Sequence, residues 1–357
     1  MGAGMKGVWV MLTAVFLLCG LTACGGGSGE TAADDGKVRI RAYLGGGDLS
    51  EKIDAMVEDF NAQSDSTIVE VVPMPADTAS MITVMFNSGN TPVVMALETG
   101  DLLRARDRLV DLSDLEAVQY ASKGTIEAAE DGEAVYGLPY RIEGMGLIYN
   151  RAVLDEVLGK DFEPDRIRTQ EDLRAVFEEI QAAGIAPVVL GTQDWSLSTH
   201  LTTDIYTGQS ESPREQAEFI ETLKSGEGNL AENRMFNQVM DTLDILREYN
   251  YFKENPLLYA NDGDTTKQAR VITSGDAAFW FQGNWGSTAL EALDPEGEYG
   301  IAKSILDYQR AGKTKVAYMA NTADHYVDTG AALQRYMDGQ IGREEVAQAY
   351  EAYWRAK

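Results

Sequence analysis

The sequence predicts an α/β protein of two lobes, and three observations lead there. After residue 37, strand-like and helix-like segments alternate, the pattern of parallel strands joined by helical crossovers. The same alternation starts afresh after residue 140. Between the two runs, Leu138-Pro139-Tyr140 sets a proline between extended stretches, and 357 residues suffice for two bodies of ordinary domain size.

The elements follow in order. Lys37 to Tyr43 alternates with period two, a first strand broken by Gly45-Gly46-Gly47-Asp48. Ile53, Met56, Val57 and Phe60 recur at helical spacing behind Ser50, a cap candidate with Glu51 in the first turn. Ile68 to Val72 is a second strand ending at Pro73, Thr78 to Asn87 a helix, and Pro92 to Leu97 a third strand. In the second run, Arg141 to Asn150 is strand-like, Gln170 to Ala183 is helical with Gly184 as its stop, and Pro187 to Leu190 is a strand. Helices dominate from residue 213 to 249.

The N-terminus has its own signature. Lys6 is the only charged residue before Cys24, and an apolar run from Val8 to Leu18 leads to Leu21-Thr22-Ala23-Cys24. A positive start, a short apolar stretch and small residues before a cut describe a secretory signal. The run is too short for a permanent span, which needs about 20 apolar residues. Leu-Thr-Ala-Cys resembles the bacterial lipobox, which implies that the Cys24 sulfur takes a diacylglycerol and becomes the first mature residue. The alternative is an ordinary cleaved signal with a chance cysteine. Gly25 to Gly29 and the polar stretch to Gly36 make a flexible tether. Cys19 lies in the discarded segment, so the mature chain has no internal disulfide.

The net charge is −27, from 30 basic and 57 acidic residues. Nucleic-acid phosphates demand a basic face, and an anionic membrane surface does too, so both are excluded as partners. The charge serves solubility through self-repulsion.

Tyr136 to Tyr140 with Gly146 to Arg151, Ile185 to Gly191 with Trp195, and Ile272 to Phe279 leading into Gln282 to Trp285 together resemble family 1 extracellular solute-binding proteins. Tyr136-Gly137-Leu138-Pro139-Tyr140, followed by Gly146 to Arg151, is similar to the family's hinge and next strand. Ile185 to Gly191 with Trp195 resembles its strand and sugar-facing loop. Ile272 to Phe279, leading into Gln282-Gly283-Asn284-Trp285, resembles its late signature before a tryptophan loop. The similarity runs from about Val38 to Tyr299. It implies a two-lobed periplasmic-binding-protein-like fold (type II) and a mono- or oligosaccharide ligand. The implied partners are the permease subunits of an ABC importer. It further implies a monomer with no cofactor, no catalysis and no metal, held to the outer face of the cell membrane by its lipid alone.

Sugars have apolar C–H faces and an equator of hydroxyls, so a binding site wants flat aromatic platforms and a few polar groups in a concavity. Trp195 and Trp285 lie in polar, glycine-flanked stretches and are the platform candidates, with Tyr140 a third; core packing is the alternative for each. Trp280, in the apolar run Ala277 to Phe281, is assigned to the core. Asp48 and Glu98 follow strands one and three, at the usual ligand edge of an α/β sheet. Asp194 and Asn284 adjoin the two tryptophans. The alternative for each acidic residue is a solvated surface charge.

The chain departs from the family twice. Pro92-Val93-Val94 stands where relatives often have Pro-Asp-Val. Tyr299-Gly300-Ile301-Ala302-Lys303 runs almost directly into Ser304-Ile305-Leu306-Asp307, which implies that an internal block of several dozen residues is absent and the first lobe incomplete. Thr329 to Met337 and Glu344 to Trp354 resemble the family's closing helices. The expected organisation is a signal at 1–23, lipidated cysteine and tether at 24–36, a first lobe at 37–139 and a second at 140–303. C-terminal helices over 304–357 would pack on the second lobe.

Catalytic signatures are weak. His200 and His325 are the only histidines, and neither has a second metal-type ligand at usable spacing. Asp262-Gly263-Asp264 lacks the ligand spacing and closing Glu of a calcium loop. There is no Gly-x-Ser-x-Gly elbow, and Gly45-Gly46-Gly47 lacks the Lys-Ser/Thr of a phosphate loop. Two alternatives stay open: a surface polysaccharide hydrolase, which needs paired carboxylates about 5–10 Å apart, and a non-transport sensor or adhesion module on the same scaffold.

Overall fold

The computed structural model describes residues 36–45, 50–72, 78–97, 101–102, 105–121, 125–126, 129–140, 143–159, 162–163, 166–210, 212–261, 265–300 and 323–357. The signal segment and Cys24 lie outside these residues, as does the junction near residue 303 where the internal block is expected to be missing.

The first unit is a parallel sheet. Strand β1 (Val38–Tyr43) has β2 (Thr67–Val71) on one side and β3 (Val94–Met95) on the other, with Ala42 opposite both Val71 and Val94. Parallel neighbours cannot be joined by a tight turn, so α1 (Ser50–Gln63) and α2 (Thr78–Ser88) carry the crossovers. Asn61 pins α1 to β2: its Oδ1 accepts from Val69 N at 2.7 Å and its Nδ2 donates to Val69 O at 2.9 Å. Of the helical stripe on α1, only Ile53 is buried; Met56 and Phe60 are 62% and 47% exposed. Periodicity marks a helix, but burial needs a partner surface. The described part of this unit offers one small sheet whose own strands are mostly half-buried. A hairpin of β4 (Glu130–Asp131) and β5 (Ala134–Val135), turning at Gly132, precedes segment 136–140, which has no regular secondary structure.

The second unit opens with β6 (Met145–Tyr149), α3 (Arg151–Leu158), α4 (Gln170–Ala182) and β7 (Ala186–Leu190). A π-helical turn, Ser196–Leu201, and the helices α5 (Asp204–Thr207), α6 (Pro213–Ser225), α7 (Arg234–Glu248) and α8 (Thr266–Thr273) follow. Strand β8 (Ala277–Gly283) and α9 (Ser287–Leu293) complete the sheet layer. The strand order is β6-β8-β7, with β6 antiparallel and β7 parallel to the central β8. Alternate residues feed two apolar clusters, one on each face: Leu147, Val188 and Phe279 in one, Ile148, Val189 and Trp280 in the other. This is why β8 is an unbroken apolar run. Trp280 is fully buried, as its setting in the sequence predicts, and its Nε1 donates to Gln268 Oε1 at 3.0 Å.

Helix α4 shows how local sequence makes these elements. Thr169 Oγ1 accepts from Asp172 N at 3.1 Å and Asp172 Oδ2 accepts from Thr169 N at 3.0 Å, a reciprocal cap. Leu173, Val176, Phe177 and Ile180 then fall on one buried face, and Gly184 ends the segment at φ +83°.

Helices α10 (Ala323–Met337) and α11 (Arg343–Arg355) form a hairpin that packs on the π-turn and on α6. Leu333, Val346 and Tyr350 are completely buried there. A polar network runs through the same contact. Trp354 Nε1 donates to the Tyr206 hydroxyl at 2.9 Å, and that hydroxyl meets His325 Nε2 at 2.8 Å. The direction of that bond follows the imidazole tautomer, and Nδ1 on the other side of the ring faces Ser198 Oγ at 3.4 Å. Tyr350 OH pairs with Thr202 Oγ1 at 2.6 Å.

Candidate functional site

Strands β7 and β8 are parallel, so the loops after Leu190 and after Gly283 leave from the same edge of the second sheet. The antiparallel β6 begins at that edge, with Met145 opposite Gly283, so segment 136–140 arrives there as well. This edge collects Trp195, Trp285, Asp194 and Asn284, and the chain carrying Tyr140 leads into it.

Each loop is held from behind. Asn250 Oδ1 accepts from Leu190 N at 3.0 Å, which fixes the end of β7. Thr192 Oγ1 donates to Pro256 O at 2.6 Å, and Gln334 Nε2 of α10 donates to Thr192 O at 2.9 Å. Asp194 Oδ1 accepts from Trp195 N at 2.7 Å. On the other loop, Asn284 Oδ1 accepts from Gly144 N at 3.1 Å while Asn284 N donates to Gly144 O at 2.9 Å. The indole of Trp285 folds back over Gly283, in space that any side chain at 283 would fill.

Trp195 and Trp285 are both half-buried, and between them stands His200, at the end of the π-turn. Its ring centroid lies 5.1 Å from Trp195, edge-on at 72°, and 4.9 Å from Trp285 at 52°. Neither imidazole nitrogen has a hydrogen-bond partner among the described residues. Burial pushes its pKa down from 6.5 to about 4, so the ring is neutral at pH 7, with one donor and one acceptor nitrogen. Sequence reasoning set His200 aside because it weighed only metal ligation. Its spacing of five residues from Trp195, across a π-turn, carried no usable signal.

Tyr140 is 53% exposed, and its hydroxyl would lie 3.1 Å from a β-carbon at Gly45, just beyond the carboxyl end of β1. The segment between the sheets therefore touches the ligand edge of the first one. Asp48 and Glu98, which follow β1 and β3 in the chain, lie outside the described residues, as does Asp262-Gly263-Asp264. Among the described residues no three His, Cys, Asp or Glu side chains gather as a metal site, and no helix is long and apolar enough to cross a membrane. A separate recess of about 380 Å³ is lined by Asp244, Arg247, Glu248, Lys253 and Glu254 near the C-terminal end of α7. It has no aromatic lining and lacks what a stacked ligand needs.

Comparison with known proteins agrees with this architecture. The curated maltodextrin-binding protein MdxE of Bacillus subtilis (strain 168) is 28% identical over 175 residues, 48% of this chain and 41% of that protein. The aligned part thus spans under half of that relative's length. The structure of RafE of Streptococcus pneumoniae in complex with raffinose superposes with a TM-score of 0.66 at 16% identity, covering 90% of this chain and 99% of that one. A sugar transporter protein from Bacillus licheniformis in complex with stachyose gives 0.64 at 12% identity, covering 89% of this chain and 100% of that one. Both likenesses establish the two-lobed solute-binding fold. The family model described as bacterial extracellular solute-binding protein matches residues 55–341, and the chain belongs to that family.

Proposed function

We propose that this protein is the carbohydrate-binding component of an ABC importer, closing on an oligosaccharide between its lobes and presenting it to permease subunits outside the cell. The observation that carries the reading is the row of rings Trp195, His200 and Trp285 on the carboxyl edge of the second sheet. The sequence reads both tryptophans as loop residues, but Trp195 lies in the helical turn entering the π-helix and Trp285 in the 3-10 turn Asn284–Gly286. Half-buried indoles on such short turns, braced from behind, suit the apolar faces of sugar rings. Family membership supports the reading, and so do the maltodextrin, raffinose and stachyose named for its relatives.

In this reading the first lobe spans 37–139 and the second 140–303, with residues 304–357 packed on the second. Hinge motion about Leu138-Pro139-Tyr140 closes the site. Trp195 and Trp285 are the platforms, Tyr140 joins them from the hinge, and Asp48 and Glu98 bring carboxylates from the first lobe to ligand hydroxyls. Asp194 and Asn284 lie beside the platforms, and their hydrogen bonds suit them to holding the two loops in place. A monomer without cofactor or catalytic step, tethered through lipidated Cys24, completes the proposal.

Titration calorimetry of the purified protein with raffinose, stachyose and maltotriose tests it. Saturable binding of at least one sugar, with no sugar released over hours, is the expected result. Turnover of a glycan, lost on removing a carboxylate pair, would instead establish the hydrolase.

A further inference from the structure

We propose that His200 is the specificity-determining polar contact of the site, hydrogen-bonding a hydroxyl at the junction of two adjacent sugar rings that stack on Trp195 and Trp285. The inference rests on the carbohydrate reading above and deepens it.

Three observations lead to it. First, each indole packs on the imidazole, at 5.1 and 4.9 Å, so His200 separates two platforms. A ring laid on one indole has the imidazole at its border, and the neighbouring ring of the same ligand meets the other indole. A ligand using both platforms therefore has at least two sugar rings, and its linkage region lies over His200. Second, no group among the described residues hydrogen-bonds the imidazole nitrogens, and the half-buried ring leaves them open to a ligand. A polar edge left open between two ring platforms is placed to meet a ligand hydroxyl. Third, enclosure keeps the ring neutral at pH 7, so it offers one donor and one acceptor. A hydroxyl, itself donor and acceptor, matches either. A site that pairs a hydroxyl rejects an analogue lacking it, because the nitrogen, once covered by the ligand, is then left unsatisfied.

His200→Phe keeps a ring between the indoles and removes both nitrogens, whereas His200→Asn keeps polar atoms and loses the ring. The two variants and wild type would be titrated with raffinose, stachyose, maltotriose and glucose, with circular dichroism and melting curves as the check on folding. Wild type should prefer an oligosaccharide over glucose, and a folded His200→Phe should lose about tenfold or more in affinity for that oligosaccharide. His200→Asn should retain more of the discrimination between the oligosaccharide and its deoxy analogue than His200→Phe does. If wild type binds an oligosaccharide and His200→Phe binds it equally well, His200 is only a spacer and the proposal fails while the carbohydrate reading stands. If glucose binds as tightly as the oligosaccharide, the two-ring geometry is wrong. If His200→Phe fails to fold, the His200 imidazole resonances of wild type decide: no shift on adding the oligosaccharide overturns the proposal. If wild type binds none of the four sugars, the carbohydrate reading and this inference fall together.

Discussion

Gly330 of α10 lies directly against Asp194: a β-carbon at 330 would sit 2.6 Å from the Asp194 β-carbon and 2.7 Å from its backbone. The C-terminal hairpin therefore sets the position of the loop that carries Trp195, although more than 130 residues separate the two in sequence. Gly330→Ala is expected to keep the fold at a cost of about 1–3 kcal/mol, the usual range for overpacking. It should also displace Trp195 and weaken ligand binding. Melting curves and calorimetry on one variant check both; unchanged affinity would show that the loop does not depend on α10.

Removing a platform is the direct test of the site. Trp285→Ala or Trp195→Ala should cost about 1–4 kcal/mol of binding, through lost stacking area and misaligned hydroxyls. The fold should survive, because both indoles are half-buried and neither belongs to the two apolar clusters. If both variants bind like wild type, or unfold outright, the rings serve packing.

The pH dependence of stability follows from His200. Its folded pKa is about 4 against 6.5 in a solvated setting, so between those values the unfolded chain binds a proton that the folded chain refuses. Stability from this group is intact above pH 6.5, falls as pH drops toward 4 and then levels off, a loss on the order of 1–3 kcal/mol. His200→Gln should flatten that part of the profile. His325 is present in both proteins and cancels in the comparison of melting temperatures between pH 7 and pH 4.5.

The buried network behind the π-turn makes a separate claim. Tyr206→Phe strips the hydroxyl that bonds both His325 Nε2 and Trp354 Nε1, so each enclosed group loses that hydrogen bond. A loss of about 2–3 kcal/mol in denaturant unfolding is expected, with an unchanged denaturant slope.

Cys24→Ser tests the anchor. The variant should leave the membrane fraction or remain unprocessed, and labelled lipid should enter wild type alone. Identical fractionation of the two, with no lipid in either, would remove the anchor from the proposal.

Much of the fold was legible in the sequence. The alternation in β1, the capping pair Thr169 and Asp172, the stop at Gly184 and the apolar run around Trp280 are local signals. Each has a local cause in backbone geometry or side-chain period. Chain order also carried the family resemblance, and with it the choice of Trp195 and Trp285.

Burial and juxtaposition were decided only by the tertiary structure. The stripe on α1 is as regular as that on α4, yet Met56 and Phe60 face water while Phe177 and Ile180 are enclosed. The difference lies in the surface each helix meets. Asn284, chosen as a candidate ligand contact, has its amide oxygen engaged by Gly144 N, 140 residues away. His200 gained its place between two indoles from a π-turn, a parallel strand pair and a C-terminal hairpin acting together. No residue near it in sequence encodes that meeting, because the groups that enclose it come from distant parts of the chain.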